Sequence, residues 1–118
     1  MFVYKVLTQA MWAETQRLGE FAGSPVDLRD GFIHLSAADQ IEETVRLHFG
    51  GQTDLVLLRV AAEAIADGLK WEPSRGGKLF PHLFGTLPLV AIESAAELPL
   101  GEGGSHRFPA GWADHTGV

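Results

Sequence analysis

Apolar positions along the chain switch several times between the two-residue repeat of a strand and the three-to-four-residue repeat of a helix. Phe2 to Leu7 is a short run of β-forming residues, and Thr8 follows as an N-cap whose hydroxyl can accept from an orphan backbone donor. This predicts a helix to about Leu18, with Leu7 and Trp12 at hydrophobic-staple spacing and Gly19 as its left-handed stop. Ser24-Pro25 and Asp30-Gly31 bracket a segment read as irregular. Phe32-Ile33-His34-Leu35-Ser36 then alternates as a strand, with Ile33 and Leu35 on one face and Phe32, His34 and Ser36 on the other. Ser36 and Asp39 have the spacing of a capping box, and Ile41, Val45 and Phe49 recur as the buried stripe of a second helix, ended by Gly50-Gly51.

Leu55 to Val60 is nearly continuous aliphatic sequence, which predicts an interior strand covered on both faces, with Arg59 the one charge to account for. Ala61 to Ala66 reads as a single helical turn, broken at Asp67-Gly68. Leu69 to Glu72 reads as a strand with Leu69 and Trp71 opposite Lys70 and Glu72. Pro73 to Lys78 is a basic, flexible loop, Phe80 to Gly85 an apolar hexapeptide interrupted by His82, and Leu89 to Glu93 a last strand. From Gly101 the chain is Gly-rich and polar, predicting a mobile tail in which Phe108 and Trp112 dock locally.

Strand, helix, strand, helix and then several strands give an α+β domain over residues 1–100, with a tail over 101–118. The expected sheet is mixed and mostly antiparallel, with two main helices. A doubly wound nucleotide fold is disfavoured, because Leu7-Thr8-Gln9-Ala10 carries no glycine fingerprint at the first strand-to-helix turn. The 118 residues, 46% hydrophobic, suffice for one core without disulfides or a structural metal. Cysteine is absent, which excludes thiol nucleophiles, thiolate-bound zinc and iron–sulfur clusters. A formal charge of -6 is the wrong sign for a long nucleic acid. No run approaches the roughly 20 apolar residues of a membrane span, and no signal peptide is read at the amino terminus. A cytoplasmic protein is the default expectation.

Three residues carry the candidate chemistry: His34 within a strand, Glu72 on a later one, and His82 after a proline. Each has a structural explanation as well. A strand histidine commonly serves as a hydrogen-bonded packing residue, and an exposed Glu72 would pair with Lys70 or Arg75. Taken together in one cleft, a neutral imidazole can donate to a sugar hydroxyl, and a carboxylate can steady a cation developing at an anomeric carbon. Arg29, Arg75 and Lys78, on loops, could reach phosphate oxygens, and Ser36 shares the face of His34. The same His34, His82 and Glu72 allow zinc with an open position, but there is no His-Glu-x-x-His spacing, so no metal is expected. A serine nucleophile at Ser36 lacks its elbow motif. Trp71 and Phe84 read first as core aromatics and second as a stacking wall for a base. His48, His106 and His115 are assigned no role.

At Asp30-Gly31-Phe32-Ile33-His34-Leu35-Ser36, Trp71-Glu72 and Phe80-Pro81-His82-Leu83-Phe84-Gly85 the chain resembles a family of short, mainly bacterial proteins, domain of unknown function 952, from about Val3 to Leu98. Phe84 stands where the family pattern has Tyr. That family looks like a remote relative of the ADP-ribosyltransferase-like superfamily, which includes RNA 2′-phosphotransferases and holds NAD in a cleft with a histidine on an early strand. The resemblance implies an ADP-ribosyltransferase-like fold, NAD as cofactor and His34 as the ribose-binding histidine. It leaves Glu72 or Glu93 as the late acidic residue. The expected function is an NAD or nucleotide-sugar cleft with transferase chemistry and a small nucleotide as partner. The alternatives are a noncatalytic ligand- or protein-binding module and a His/Glu metal-dependent hydrolase.

Overall fold

The computed structural model describes residues 1–112. His115 and the last part of the expected tail lie outside the described residues. The chain is α+β, and every strand pairing among the described residues is antiparallel. β1 (Phe2–Thr8) runs into α1 (Gln9–Leu18), where the Thr8 hydroxyl accepts from the Met11 amide and Gly19 closes the helix at φ 84°. The short β2 (Glu20–Phe21) follows. The segment expected to be irregular is instead α2 (Pro25–Asp30). Ser24 and Asp27 cap each other reciprocally, and Pro25 occupies the first turn, where its missing N–H costs nothing.

β3 is only Ile33–His34, shorter than the predicted strand, although a single bridge from Ser36 to Tyr4 continues the pairing onto β1. α3 (Ile41–His48) buries Ile41 and Val45 as predicted. The expected Ser36–Asp39 box does not form. Gln40 is the N-cap and its side chain accepts from the Ala37 amide, while the Ser36 hydroxyl turns to Thr44.

β4 (Leu55–Ala61) is the central strand between β1 and β8 (Ile92–Glu97). Its alternation is divided between two cores. Val56, Leu58 and Val60 face Val3, Leu7, Ile33 and Leu35, whereas Leu55 and Leu57 face Tyr4, Val6, Ile41 and Val45. A strand buried on both faces has no polar side to show, which explains its continuous aliphatic sequence. Arg59 is accommodated by a two-pronged bond to Glu93 and by the Phe2 ring 4.5 Å away.

A 3₁₀ turn (Ala62–Ile65) leads to β5 (Leu69–Pro73), which pairs with β6 (Leu79–Leu83), and β6 pairs in turn with β3. Gly68 sits where a Cβ would lie 2.5 Å from the Phe84 carbonyl oxygen, so only glycine fits this approach. β7 (Leu87–Pro88) pairs with β2. The predicted strand Leu89–Glu93 is corrected to a 3₁₀ turn, Leu89–Ala91, followed by β8. Beyond it, residues 101–112 fold back on the β1–β4–β8 sheet. Phe108 and Trp112 pack on its second core, and the Tyr4 hydroxyl donates to the Trp112 carbonyl at 2.9 Å. No helix among the described residues is long and apolar enough to cross a membrane.

Candidate functional site

The β3–β6–β5 ladder brings His34, His82 and Glu72 together. His34 is directly opposite His82 in the β3–β6 register, and Lys70 of β5 is opposite His82 on its other side. Residues two apart share a face, so Phe32 and His34, His82 and Phe84, and Lys70 and Glu72 all project on the same side. The two imidazole centroids are 5.7 Å apart. The Phe32 ring lies flat on the His82 ring, with centroids 4.0 Å apart and an interplanar angle of 25°.

Each imidazole is anchored at Nδ1 by a carboxylate. His82 Nδ1 is 2.8 Å from Glu72 Oε1, so Glu72 pairs with the histidine and not with Lys70 or Arg75 as its exposed-strand reading required. His34 Nδ1 is 2.7 Å from Asp27 Oδ1, and the His34 amide donates to the same oxygen at 3.1 Å. A carboxylate only accepts, so each of these bonds puts the proton on Nδ1 and leaves Nε2 as the nitrogen open to another partner.

Asp27, 2% exposed, is the hub of the site. It also accepts from the Ser24 amide at 2.9 Å and from the ammonium of Lys5, whose Nζ is 3.0 Å from Oδ2. Lys5 is buried because it lies on the β1 face of Val3 and Leu7, and its remaining reach goes to the His34 carbonyl at 2.9 Å. Burial alone would raise the Asp27 carboxyl. The Lys5 charge and the Ser24 and His34 donors outweigh it and hold the group below the ordinary carboxylate range. Burial depresses the Lys5 ammonium more than Asp27 restores it.

His34 Nε2 meets a second carboxylate, Asp30 Oδ2, at 3.0 Å. Asp30 closes α2 at the surface and is held below its usual value by the Arg29 guanidinium at 2.9 Å, with His34 adding to the effect. Arg29, expected on a loop, is therefore the penultimate residue of a helix and already shares Asp30 with His34.

The other expected ligand residues are distributed less tightly. Ser36 is buried and its hydroxyl is 3.0 Å from that of Thr44, which also accepts from Arg75 at 3.3 Å. The Arg75 guanidinium lies 4.8 Å over the Phe80 ring, at the edge of the histidine face. Lys78 is exposed at the end of the same loop. Glu93 is bound to Arg59 on the other sheet and is not brought to His34. Neither aromatic expected in the core is there. Trp71 is 36% and Phe84 41% exposed, Phe84 standing 5.3 Å from Phe32 with the Lys70 ammonium over its ring. No cluster of three or more His, Asp or Glu among the described residues has the geometry to hold a metal ion.

Reasoning from sequence missed Asp27, Asp30, Lys5 and Phe32. The Ser24-Pro25-x-Asp27 pattern is a helix-start signature, and reading it as one would have placed Asp27 within reach of the following strand. Two surface depressions, of about 320 and 220 Å³, lie beside this face or away from it. The first touches it only through Phe84, and the second is walled by Tyr4, Arg59 and the 109–112 segment.

The sequence profile of a family described as protein of unknown function (DUF952) matches residues 6–95. The chain is similar to protein CC0527 from Caulobacter crescentus. A crystal structure of that protein superposes with a TM-score of 0.87 at 47% identity, covering 91% of this chain and 94% of that one. Its solution NMR structure gives a TM-score of 0.80 at 48% identity, covering 88% and 90%. No curated protein matches the sequence. The chain belongs to the DUF952 family of proteins of unknown function.

Proposed function

We propose that the His34–His82 face is a binding site for a small ribose-phosphate ligand, NAD or a nucleotide sugar, and that the protein acts on it in the cytoplasm as an ADP-ribosyltransferase-like transferase. The observation that carries this reading is the meeting of His34 and His82, each anchored at Nδ1 by a carboxylate. The donor set fits such a ligand. An imidazole Nε2 can engage a ribose hydroxyl, the exposed Phe84 beside Phe32 can stack a base, and Arg75, Lys78 and Arg29 can reach phosphate oxygens. When bound, NAD would supply a labile bond between nicotinamide and ribose. The chain itself orients: Asp27 fixes the His34 ring, Phe32 and Glu72 fix His82, and the second oxygen of Glu72, a side chain 40% exposed, would face positive charge on a sugar.

A binding module without turnover is the second reading. It is favoured by the burial of His82 beneath Phe32, which restricts approach to that ring. Titration with NAD, followed by calorimetry and by the histidine ring resonances, tests the site. Saturable shifts at His34 and His82 that vanish in His34→Ala support it. An absence of perturbation at millimolar NAD overturns it. Shifts without any consumption of NAD select the binding module.

A further inference from the structure

We infer that His34 and His82 form a proton donor and acceptor pair able to cleave a phosphodiester that carries a neighbouring hydroxyl, the bond found in a 3′,5′-linked diribonucleotide. This rests on the reading that the face takes ribose-phosphate ligands, and adds to it a reaction that does not involve NAD.

The two Nε2 atoms differ in what they meet. His34 Nε2 is 3.0 Å from Asp30 Oδ2, an acceptor, an approach that favours a proton on that nitrogen. His82 Nε2 has no protein partner among the described residues. No fully buried side-chain nitrogen or oxygen among them lacks one, so this atom keeps a narrow opening to solvent although the side chain as a whole is only 6% exposed beneath Phe32. One ring is thus set up as a donor and the other as an acceptor. Centroids 5.7 Å apart put the two rings close enough for one phosphate to lie between them, and the step requires each Nε2 to come within roughly 2.6–3.2 Å of the oxygen it serves. Lys70, opposite His82 in the register, and Arg75 at the edge of the face supply positive charge for the nonbridging oxygens. The other charges around the pair are Asp27, Asp30 and Arg29 from α2, Lys5 from β1 and Glu72 from β5.

In the step, His82 Nε2 takes the proton of the ribose 2′-hydroxyl, and that oxygen bonds to phosphorus as the bond from phosphorus to the 5′ oxygen breaks. The leaving oxygen takes the place of Asp30 at His34 Nε2 and receives its proton. The products are a 2′,3′-cyclic phosphate and a nucleoside with a free 5′-hydroxyl. Solvent then returns the two imidazoles to their starting protonation, and no oxidant or second substrate is consumed. Asp27 and Glu72 are positioning residues, each fixing a ring through Nδ1.

The test incubates the full chain with a 3′,5′-linked diribonucleotide and with its 2′-deoxy analogue, while the histidine ring resonances are followed. Expected are the cyclic phosphate from the ribonucleotide alone, a bell-shaped pH dependence, and a loss of at least about 100-fold in His34→Ala and in His82→Ala. Both variants are checked for native amide spectra, and His82→Gln serves where His82→Ala does not fold. Cleavage that survives these substitutions overturns the inference. Shifts at His34 and His82 without cleavage overturn the acid–base pair and leave the ligand site standing. Neither shifts nor cleavage overturns both.

Discussion

His34 and His82 occupy one rung of the β3–β6 ladder, and each is held at Nδ1 by a carboxylate from a different element, Asp27 of α2 and Glu72 of β5. The two anchors are unequal. Asp27 is buried and accepts from Lys5, Ser24 and the backbone amide and Nδ1 of His34, whereas Glu72 holds His82 from a side chain 40% exposed. The His34 ring is consequently fixed by the core itself, and the His82 ring by a surface carboxylate together with the Phe32 stack.

Asp27→Asn leaves the Lys5 ammonium buried without its counter-charge, so a loss of about 3–5 kcal/mol in urea unfolding at neutral pH is expected. A loss below 1 kcal/mol, within the range of a surface pair, would show that Lys5 finds another partner.

The same carboxylate gives an acid limb to stability. Asp27 is depressed in the folded chain relative to about 3.9 when unfolded, so its contribution is complete above that pH and is lost as the pH falls through the folded value. Wild-type unfolding free energy should fall more steeply below about pH 4 than that of Asp27→Asn, which has no proton to take up there. Parallel curves would contradict this.

Phe32→Ala removes the ring stacked on His82. Beyond its lost area, such a pair is worth about 0.5–1.5 kcal/mol, and the His82 ring protons should lose the displacement that a neighbouring aromatic current imposes. An unchanged His82 proton spectrum would mean that the stack does not persist in solution.

Gly68→Ala forces a Cβ to within 2.5 Å of the Phe84 carbonyl oxygen, and the same glycine accepts from the Phe84 amide at 2.8 Å. The β5–β6 end must shift, at a cost of about 1–3 kcal/mol. Amide exchange at Phe84 should speed up more than at Leu58 in the centre of β4. Uniform exchange across the chain would speak against a local effect.

Trp112→Ala deletes the edge-on ring 5.3 Å from Tyr4 and the contact with Phe108, opening the second core. A loss of about 1–3 kcal/mol is expected in urea unfolding. No loss would show that the 101–112 segment adds nothing to the fold.

Patterns that depend on neighbours along the chain were legible in the sequence. The Thr8 cap, the Gly19 stop, the Ile41 and Val45 stripe and the doubly covered Leu55–Val60 strand each arise from local backbone geometry or from burial that repeats at a fixed period. The helix at Pro25–Asp30 was written equally plainly in Ser24, Pro25 and Asp27. Its six residues are too few to show an apolar period, so the flanking Pro and Gly suggested irregular chain instead. Trp71 and Phe84 were expected inside because their size favours burial, but β5 is an edge strand and Phe84 follows the end of β6, where the ladder no longer covers them.

By itself the sequence determined the α+β class, the central strand, the family and the His34, Glu72 and His82 trio as residues out of keeping with their apolar surroundings. Only the tertiary structure decided which partners those residues hold. Register sets His34 against His82, and the chain reversal after α2 lays Asp27 and Asp30 on either side of one imidazole. Lys5, from a strand some twenty residues earlier, is drawn in because burying the Asp27 carboxylate demands a positive charge. Those contacts join elements distant along the chain, and the free energy that selects them comes from a core formed only when all the elements have packed.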